Sequence, residues 1–139
     1  MADSLSPERR SWNMSRIRGT DTEPELALRS LLHRAGYRFR LHDRRLPGRP
    51  DIVLPRFRTV IFVHGCFWHR HAGCRNATMP GSRTEFWAGK FQDTVARDAR
   101  KASELDAAGW KVVTVWECEL KQGPENVLRR VVKQLRSAR

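Results

Sequence analysis

The sequence predicts a mixed α/β fold, in which a small mixed β-sheet is flanked by helices. Short apolar runs of strand length alternate with longer segments whose apolar residues recur every three or four positions. A chain of 139 residues can bury one core but is short for two, so one domain over 1–139 is expected. The predicted helices cover residues 7–18, 23–35, 84–107 and 124–136, and the predicted strands cover 37–42, 51–54, 58–63 and 110–116.

The helix over 23–35 has clear boundary signals. Thr22 and Glu25 have the spacing of a capping box, and Pro24 lies in the first turn, where its missing N–H costs nothing. Gly36 ends the helix.

The strands over 51–54 and 58–63 are close enough in sequence to form a hairpin, which ends at His64. Residues 66–84 then lack apolar periodicity, so another source must order them. Trp110 and Trp116 lie on the apolar last strand and are assigned to the core.

A formal net charge of +12 creates a positive field that attracts polyanions. Of the 27 basic residues 22 are Arg, which suits bidentate phosphate contacts better than Lys does. Nucleic acid is therefore the expected partner, and the basic segment 1–18 is expected to be mobile when no DNA is bound. The alternative is a charged soluble protein from an Arg-rich genome. No apolar run is long enough to cross a membrane, so a soluble, cytoplasmic protein is expected.

A zinc site is predicted from three cysteines and a histidine. Cys66, His71, Cys74 and Cys118 offer a tetrahedral ligand set with no open position, which is typical of structural zinc. The metal would order the loop that lacks apolar residues. His69 is the alternative histidine ligand, and three ordinary buried thiols are the alternative to a metal site.

A second constellation suits phosphodiester cleavage, which requires a divalent cation, a carboxylate and a base. The hairpin is expected to bring Asp51 into one cleft with His64 and His69, and the backbone carbonyl of Val63 is a further candidate ligand. The alternative is that Asp51 only caps backbone amides at a turn.

Two more carboxylates are predicted to face inward, where they need a partner. Asp98 shares the helical stripe of Val95, Ala99 and Ala102, and Glu25 is in register with the apolar stripe of its own helix. The alternative for Glu25 is that it only caps its helix. The alternative for Asp98 is that it pairs with Arg97 or Lys101.

Aromatic pairs next to these residues suggest a wedge that unstacks bases. They are Phe67-Trp68 in the cysteine-rich loop and Phe86-Trp87 at the start of the long helix. The alternative is that these rings fill a small core around zinc.

Together these segments resemble the bacterial very short patch repair endonucleases over about residues 11–120. The resemblance rests on LPGRPD ending at Asp51, VIFVHGCFWH ending at His69, RTEFW ending at Trp87, the pair Arg97-Asp98, and GWKV to VWEC ending at Cys118.

The resemblance implies a restriction-endonuclease-like core, related to the PD-(D/E)-x-K nucleases but with histidines in the later part of the motif. It implies a Mg²⁺-dependent nick on the 5′ side of the T in a T:G mismatch, where 5-methylcytosine has deaminated. A monomer, a location near the bacterial nucleoid and contact with mismatch-repair proteins are also expected. The alternatives are a restriction-type nuclease acting on matched DNA and a zinc-stabilised DNA-binding module without catalysis.

The resemblance also implies roles for single residues. Asp51 and the Val63 carbonyl would ligate Mg²⁺, His69 would be the general base, and His64 would assist at the phosphate. The remaining roles are metal-water ligation by Glu25 and Asp98, zinc binding by Cys66, His71, Cys74 and Cys118, and a DNA wedge of Phe67, Trp68 and Trp87. This chain departs from the family at Val63, where Thr is common, and at Ala72-Gly73, which lengthen the loop by one residue.

Overall fold

Four strands form one mixed sheet in a computed structural model that describes residues 22–67, 69–75 and 77–137. The spatial order of the strands is their order in the sequence. They are β1 (Arg40–Leu41), β2 (Ile52–Leu54), β3 (Thr59–His64) and β4 (Lys111–Trp116). The predicted fold class, a mixed sheet with helices, is confirmed, whereas the predicted helix over 7–18 lies outside the described residues.

Four helices in the described part of the chain pack around this sheet. They are α1 (Glu23–Arg34), α2 (Thr84–Ala107), α3 (Glu117–Gln122) and α4 (Pro124–Arg136), with a short 3-10 helix (Pro55–Phe57) between β2 and β3. No helix within the described ranges is both long and apolar enough to span a bilayer.

The pairing of the strands follows from their connections. A short 3-10 turn joins β2 to β3, so these strands are antiparallel, with Val53 opposite Val60. In contrast, β3 and β4 are parallel, with His64 opposite Trp116. Parallel neighbours need a long crossover, which the cysteine-rich loop and α2 provide.

The alternation of side chains in the strands divides the core between the two faces of the sheet. Ile52 and Ile61 contribute to the main cluster, which also contains buried residues of α1, α3 and α4. Val53 and Val60 face the other way and pack with Leu105 of α2. Trp110 packs against this second cluster, as predicted.

One predicted strand was too long, and one short helix was missed. The strand expected over 37–42 is reduced to Arg40–Leu41, because residues before it pack on the main core as irregular chain: Tyr37 donates its amide to the carbonyl of Leu32. Helix α3 was not predicted, since its six residues are too few for a periodic pattern. It is stabilised by Glu119, whose carboxylate accepts the amide of Trp116 at 2.9 Å.

Candidate active site and metal centres

One cavity of about 350 Å³ lies beside the hairpin formed by β2 and β3. Its wall includes four of the predicted catalytic residues, Asp51, His64, His69 and Asp98. Asp51 immediately precedes β2, and His64 ends β3, so the antiparallel pairing of these strands places both at the same edge of the sheet. The structure therefore brings together the set that the sequence predicted for one cleft.

The carboxylate of Asp51 is oriented by the neighbouring strand. Its Oδ2 accepts the backbone N–H of Val63 at 2.7 Å. Asp51 therefore does cap an amide, but no backbone amide of the described residues donates to Oδ1. Burial, reinforced by the neighbouring carboxyl group of Glu25, raises the pKa of Asp51 to about 8. The two acidic groups thus lie close together in a poorly solvated pocket.

Glu25 combines both roles that the sequence left open. Its Oε2 completes the capping box, accepting the amide of Thr22 at 2.7 Å and the hydroxyl at 3.1 Å. The side chain is only 1% exposed, and its Oε1 has no hydrogen-bond partner in the described part of the chain. A buried carboxylate oxygen without a partner is costly, which indicates that a cation or its water belongs there.

His42 is a functional candidate that the sequence reasoning missed. Its Nδ1 lies 3.8 Å from Oδ1 of Asp51, and its Nε2 lies 3.9 Å from Oε1 of Glu25. The guanidinium of Arg29 donates to Nε2 at 3.0 Å. Leu41 pairs with Ile52, so the residue that follows β1 falls opposite Asp51. Only this register, which the sequence did not reveal, could have identified His42.

The residues of this corner fit a hard or borderline divalent cation. Glu25, His42 and Asp51 each offer one donor atom, and these atoms all lie within 4.8 Å of one another. The two carboxylates suit an ion that prefers oxygen ligands, such as Mg²⁺ or Mn²⁺, whereas Nε2 of His42 already accepts from the guanidinium of Arg29. The orphaned Oε1 of Glu25 is the observation that supports this fit.

His69 and Asp98 form a close pair on the opposite wall. Nδ1 of His69 lies 2.6 Å from Oδ2 of Asp98. Burial opposes ionisation of Asp98, but the hydrogen bond from His69 and its charge outweigh this effect, and the pKa of Asp98 is lowered. Because an ionised carboxylate only accepts, Nδ1 of His69 carries the proton of this hydrogen bond, and Nε2 is the ring nitrogen that remains for another partner. Of the partners considered for Asp98, the structure shows a hydrogen bond to His69, while Lys101 acts on the carboxylate through its charge.

His64 stacks on His69, with ring centroids 3.9 Å apart and planes 6° from parallel. Burial, reinforced by the charge of His69, lowers the pKa of His64 to about 4, so this ring is neutral at physiological pH. Its Nδ1 is buried and has no hydrogen-bond partner among the residues described. His64 therefore offers a buried polar atom that a ligand or a water molecule could satisfy.

The apolar stripe that carries Asp98 does not pack into the core, contrary to the prediction. Val95 is 46% exposed, and the stripe borders a second cavity, of about 300 Å³, next to the first. The buried apolar anchors of α2 are Phe91 and Leu105, towards its two ends. The side chains of the stripe between these anchors are mostly small, which leaves an open cleft beside the sheet.

The cysteines and His71 form a separate cluster that could hold a metal ion. Nδ1 of His71 lies 3.6 Å from Sγ of Cys66 and 3.4 Å from Sγ of Cys118, and all four donor atoms, with that of Cys74, are within 4.8 Å of one another. Ligands about 2.0–2.3 Å from one tetrahedral zinc ion have similar separations. The structure places His71 here, while His69 faces Asp98.

Contacts outside the cluster connect it to the cavity that Asp51 and His69 line. Oε1 of Glu117 accepts the amide of Cys66 at 3.0 Å. Trp116 stacks on His71 with centroids 4.2 Å apart, and its edge meets His64 at 5.2 Å. Trp116 was assigned to the core, but it is half-buried between the two sites, because its strand position pairs it with His64.

Two of the predicted wedge residues, Phe67 and Trp87, belong to an aromatic cluster. Phe67 meets Phe91 edge to face at 5.1 Å, and Trp87 stacks on Phe91 at 5.7 Å. Arg70 fixes this end of the loop, donating to the carbonyls of Phe67, Ala77 and Thr78 while lying 4.0 Å above the Phe91 ring. Trp68 lies outside the described residues.

Known proteins resemble this chain over most of its length. The family model described as DNA mismatch endonuclease Vsr matches residues 2–75. The type II nicking enzyme V.XorIIP of Xanthomonas oryzae pv. oryzae is 57% identical over 120 residues, 86% of this chain and 88% of that protein. The DNA mismatch endonuclease Vsr of Escherichia coli is 49% identical over 87% of this chain and 77% of its own length. The type II nicking enzyme V.NmeAIP of Neisseria meningitidis is 40% identical over 99% of both chains.

Proposed function

Because the chain belongs to the DNA mismatch endonuclease Vsr family, it is an endonuclease that hydrolyses DNA, and we propose that it nicks one strand of a duplex on the 5′ side of the T in a T:G mismatch. Such a nick starts very short patch repair of deaminated 5-methylcytosine. The proposal includes a restriction-endonuclease-like core in one domain over 1–139, acting as a monomer, because a single nick needs one active site.

The pair formed by His69 and Asp98 supports this chemistry most directly. With Nδ1 bound to Asp98, Nε2 of His69 takes a proton from the water that attacks the phosphorus. The carboxylate of Asp98 holds the ring in this tautomer and stabilises the imidazolium that forms. Because Asp98 lies against His69, we favour this orienting role for its carboxylate over the binding of a metal-bound water. His64, neutral and stacked on His69, assists at the phosphate.

The corner at Asp51 is proposed to hold Mg²⁺, with the Val63 carbonyl as a backbone ligand and Glu25 and His42 around it. When bound, this ion supplies a Lewis acid that stabilises the negative charge that builds up on the phosphate. The N–H of Val63 keeps the carboxylate of Asp51 facing the cavity.

Structural zinc is proposed at Cys66, His71, Cys74 and Cys118, where it stabilises the loop next to the catalytic cavity. Phe67, Trp68 and Trp87 of that loop and of α2 are proposed to wedge the bases beside the mismatch. We further propose that the enzyme acts near the nucleoid in the bacterial cytoplasm and contacts mismatch-repair proteins.

A nicking assay on paired duplexes tests the proposed function. The parent enzyme is expected to nick a T:G duplex in Mg²⁺ and to leave the same duplex with a matched T:A pair intact. Asp51→Ala and His69→Ala are each expected to slow the nick by at least about 100-fold, since each removes a group that acts in the transition state. Equal cleavage of both duplexes indicates a restriction-type enzyme. Unchanged rates in both variants contradict the mechanism.

A further inference from the structure

Lys101 is a half-buried cation in the wall of the catalytic cavity. It lies on α2, three positions after Asp98, so the two side chains share one face of the helix. Lys101 forms no hydrogen bond and no ion pair with any residue in the described ranges, although the carboxylate of Asp98, which is bound to His69, lies within range of its charge. The ammonium therefore keeps its hydrogen-bond donors for a ligand.

The stem of Lys101 is held against the turn that leads into Asp51. A Cβ added to Gly48 would lie 2.7 Å from Cδ of Lys101 and 3.0 Å from its Cβ and Cγ. Gly48 also has a φ of +77°, which side chains rarely adopt. The glycine therefore gives the lysine a path along the cavity wall, between the turn and α2.

The charge of Lys101 acts on the catalytic groups. It contributes to lowering the pKa of both His64 and Asp98, so the ammonium lies within electrostatic range of both. Arg49 is the other Lys or Arg in the described wall of this cavity, and it is exposed. The half-buried ammonium is the better placed of the two to meet an anion inside the cavity.

We propose that Lys101 binds a non-bridging oxygen of the phosphate that the enzyme cleaves. This inference rests on the proposed function, since it assigns the anion as the scissile phosphate. An ammonium carries three donors and a compact charge, which suits a phosphate oxygen. It would offset charge on the phosphate from the helix wall of the cavity, while the corner at Asp51 holds the cation.

A binding comparison tests the contact without requiring cleavage. Lys101→Ala is compared with Lys90→Ala, which removes the same charge from an exposed position of α2. The binding affinity of each variant is measured in Ca²⁺ for two T:G duplexes. One duplex has a normal phosphate 5′ of the T. The other has a neutral methylphosphonate at that position, and its two diastereomers are separated and measured individually. Lys101→Ala is expected to weaken binding of the normal duplex about tenfold, as for a lost hydrogen bond to a charged group, and to change binding of the neutral duplex little.

The result that overturns the proposal is equal weakening on both duplexes, or an effect no larger than that of Lys90→Ala. Single-turnover nicking in Mg²⁺ distinguishes a failure of the proposed function from a failure of the proposed role of Lys101. A parent enzyme that leaves the T:G duplex intact contradicts the proposed function, while the binding comparison still reports on the lysine. A parent that nicks and a Lys101→Ala variant that nicks equally fast contradict the role of Lys101 alone.

Discussion

Nδ1 of His69 and Oδ2 of Asp98 lie 2.6 Å apart, although the two residues are 29 positions apart in the chain. The cysteine-rich loop carries the imidazole and the long helix carries the carboxylate. Their contact means that the imidazole is oriented by a different element from the one that carries it. The proposed role of His69 as a base therefore depends on the relative placement of the loop and the helix.

The first prediction concerns this pair. Asp98→Asn keeps the size of the side chain but removes the charge that fixes the His69 tautomer, so we expect the single-turnover nicking rate to fall by roughly 100-fold. Asp93→Asn, at an exposed position on the same helix, serves as the control. Equal rates for the two variants would show that the carboxylate does not support the base.

A second prediction concerns the buried carboxylate of Glu25. Glu25→Gln preserves the shape of the helix cap but removes a negative charge beside Asp51, so the Mg²⁺ concentration for half-maximal nicking is expected to rise about tenfold. Glu23→Gln, in the exposed first turn of the same helix, should leave it unchanged. A Mg²⁺ titration of both variants measures the difference, and superimposable curves would rule out a role for Glu25 at the cation.

A third prediction is that the purified protein contains one zinc ion per chain. Cys118→Ser is expected to lose this zinc and to lower the melting temperature by more than about 10 °C, since the ion replaces an apolar core in the loop. Elemental analysis and thermal unfolding provide the two measurements. Metal-free parent protein that melts at the same temperature with and without a chelator would contradict the zinc site.

The fourth prediction concerns Arg70, which holds the loop by three carbonyl contacts and a stack on Phe91. Arg70→Ala is expected to reduce the free energy of unfolding by about 1–3 kcal/mol. Arg70→Lys is expected to recover little of this free energy, because an ammonium lacks the planar set of N–H donors of a guanidinium. Arg75→Ala, exposed in the same loop, is the control. Denaturant unfolding measures these changes, and full rescue by Lys would mean that charge alone matters.

Local patterns were sufficient for much of the fold. Helix α1 begins after Thr22, as its capping box predicted, because a cap depends on residues three positions apart. The hairpin could also be predicted from a local pattern, since only a few residues join β2 to β3. The strand before it was predicted too long, because packing on the core replaced the pairing of its first residues.

The sequence by itself determined the chemistry available to this protein: its cysteines, its histidines, its acidic residues and its excess of Arg. The tertiary structure decided which of these residues meet. The register of β1 placed His42 beside Asp51, and the crossover through α2 brought Asp98 to His69 and Lys101 to the cavity. Register and crossover depend on contacts between distant segments, so a pattern of neighbouring residues does not encode them directly.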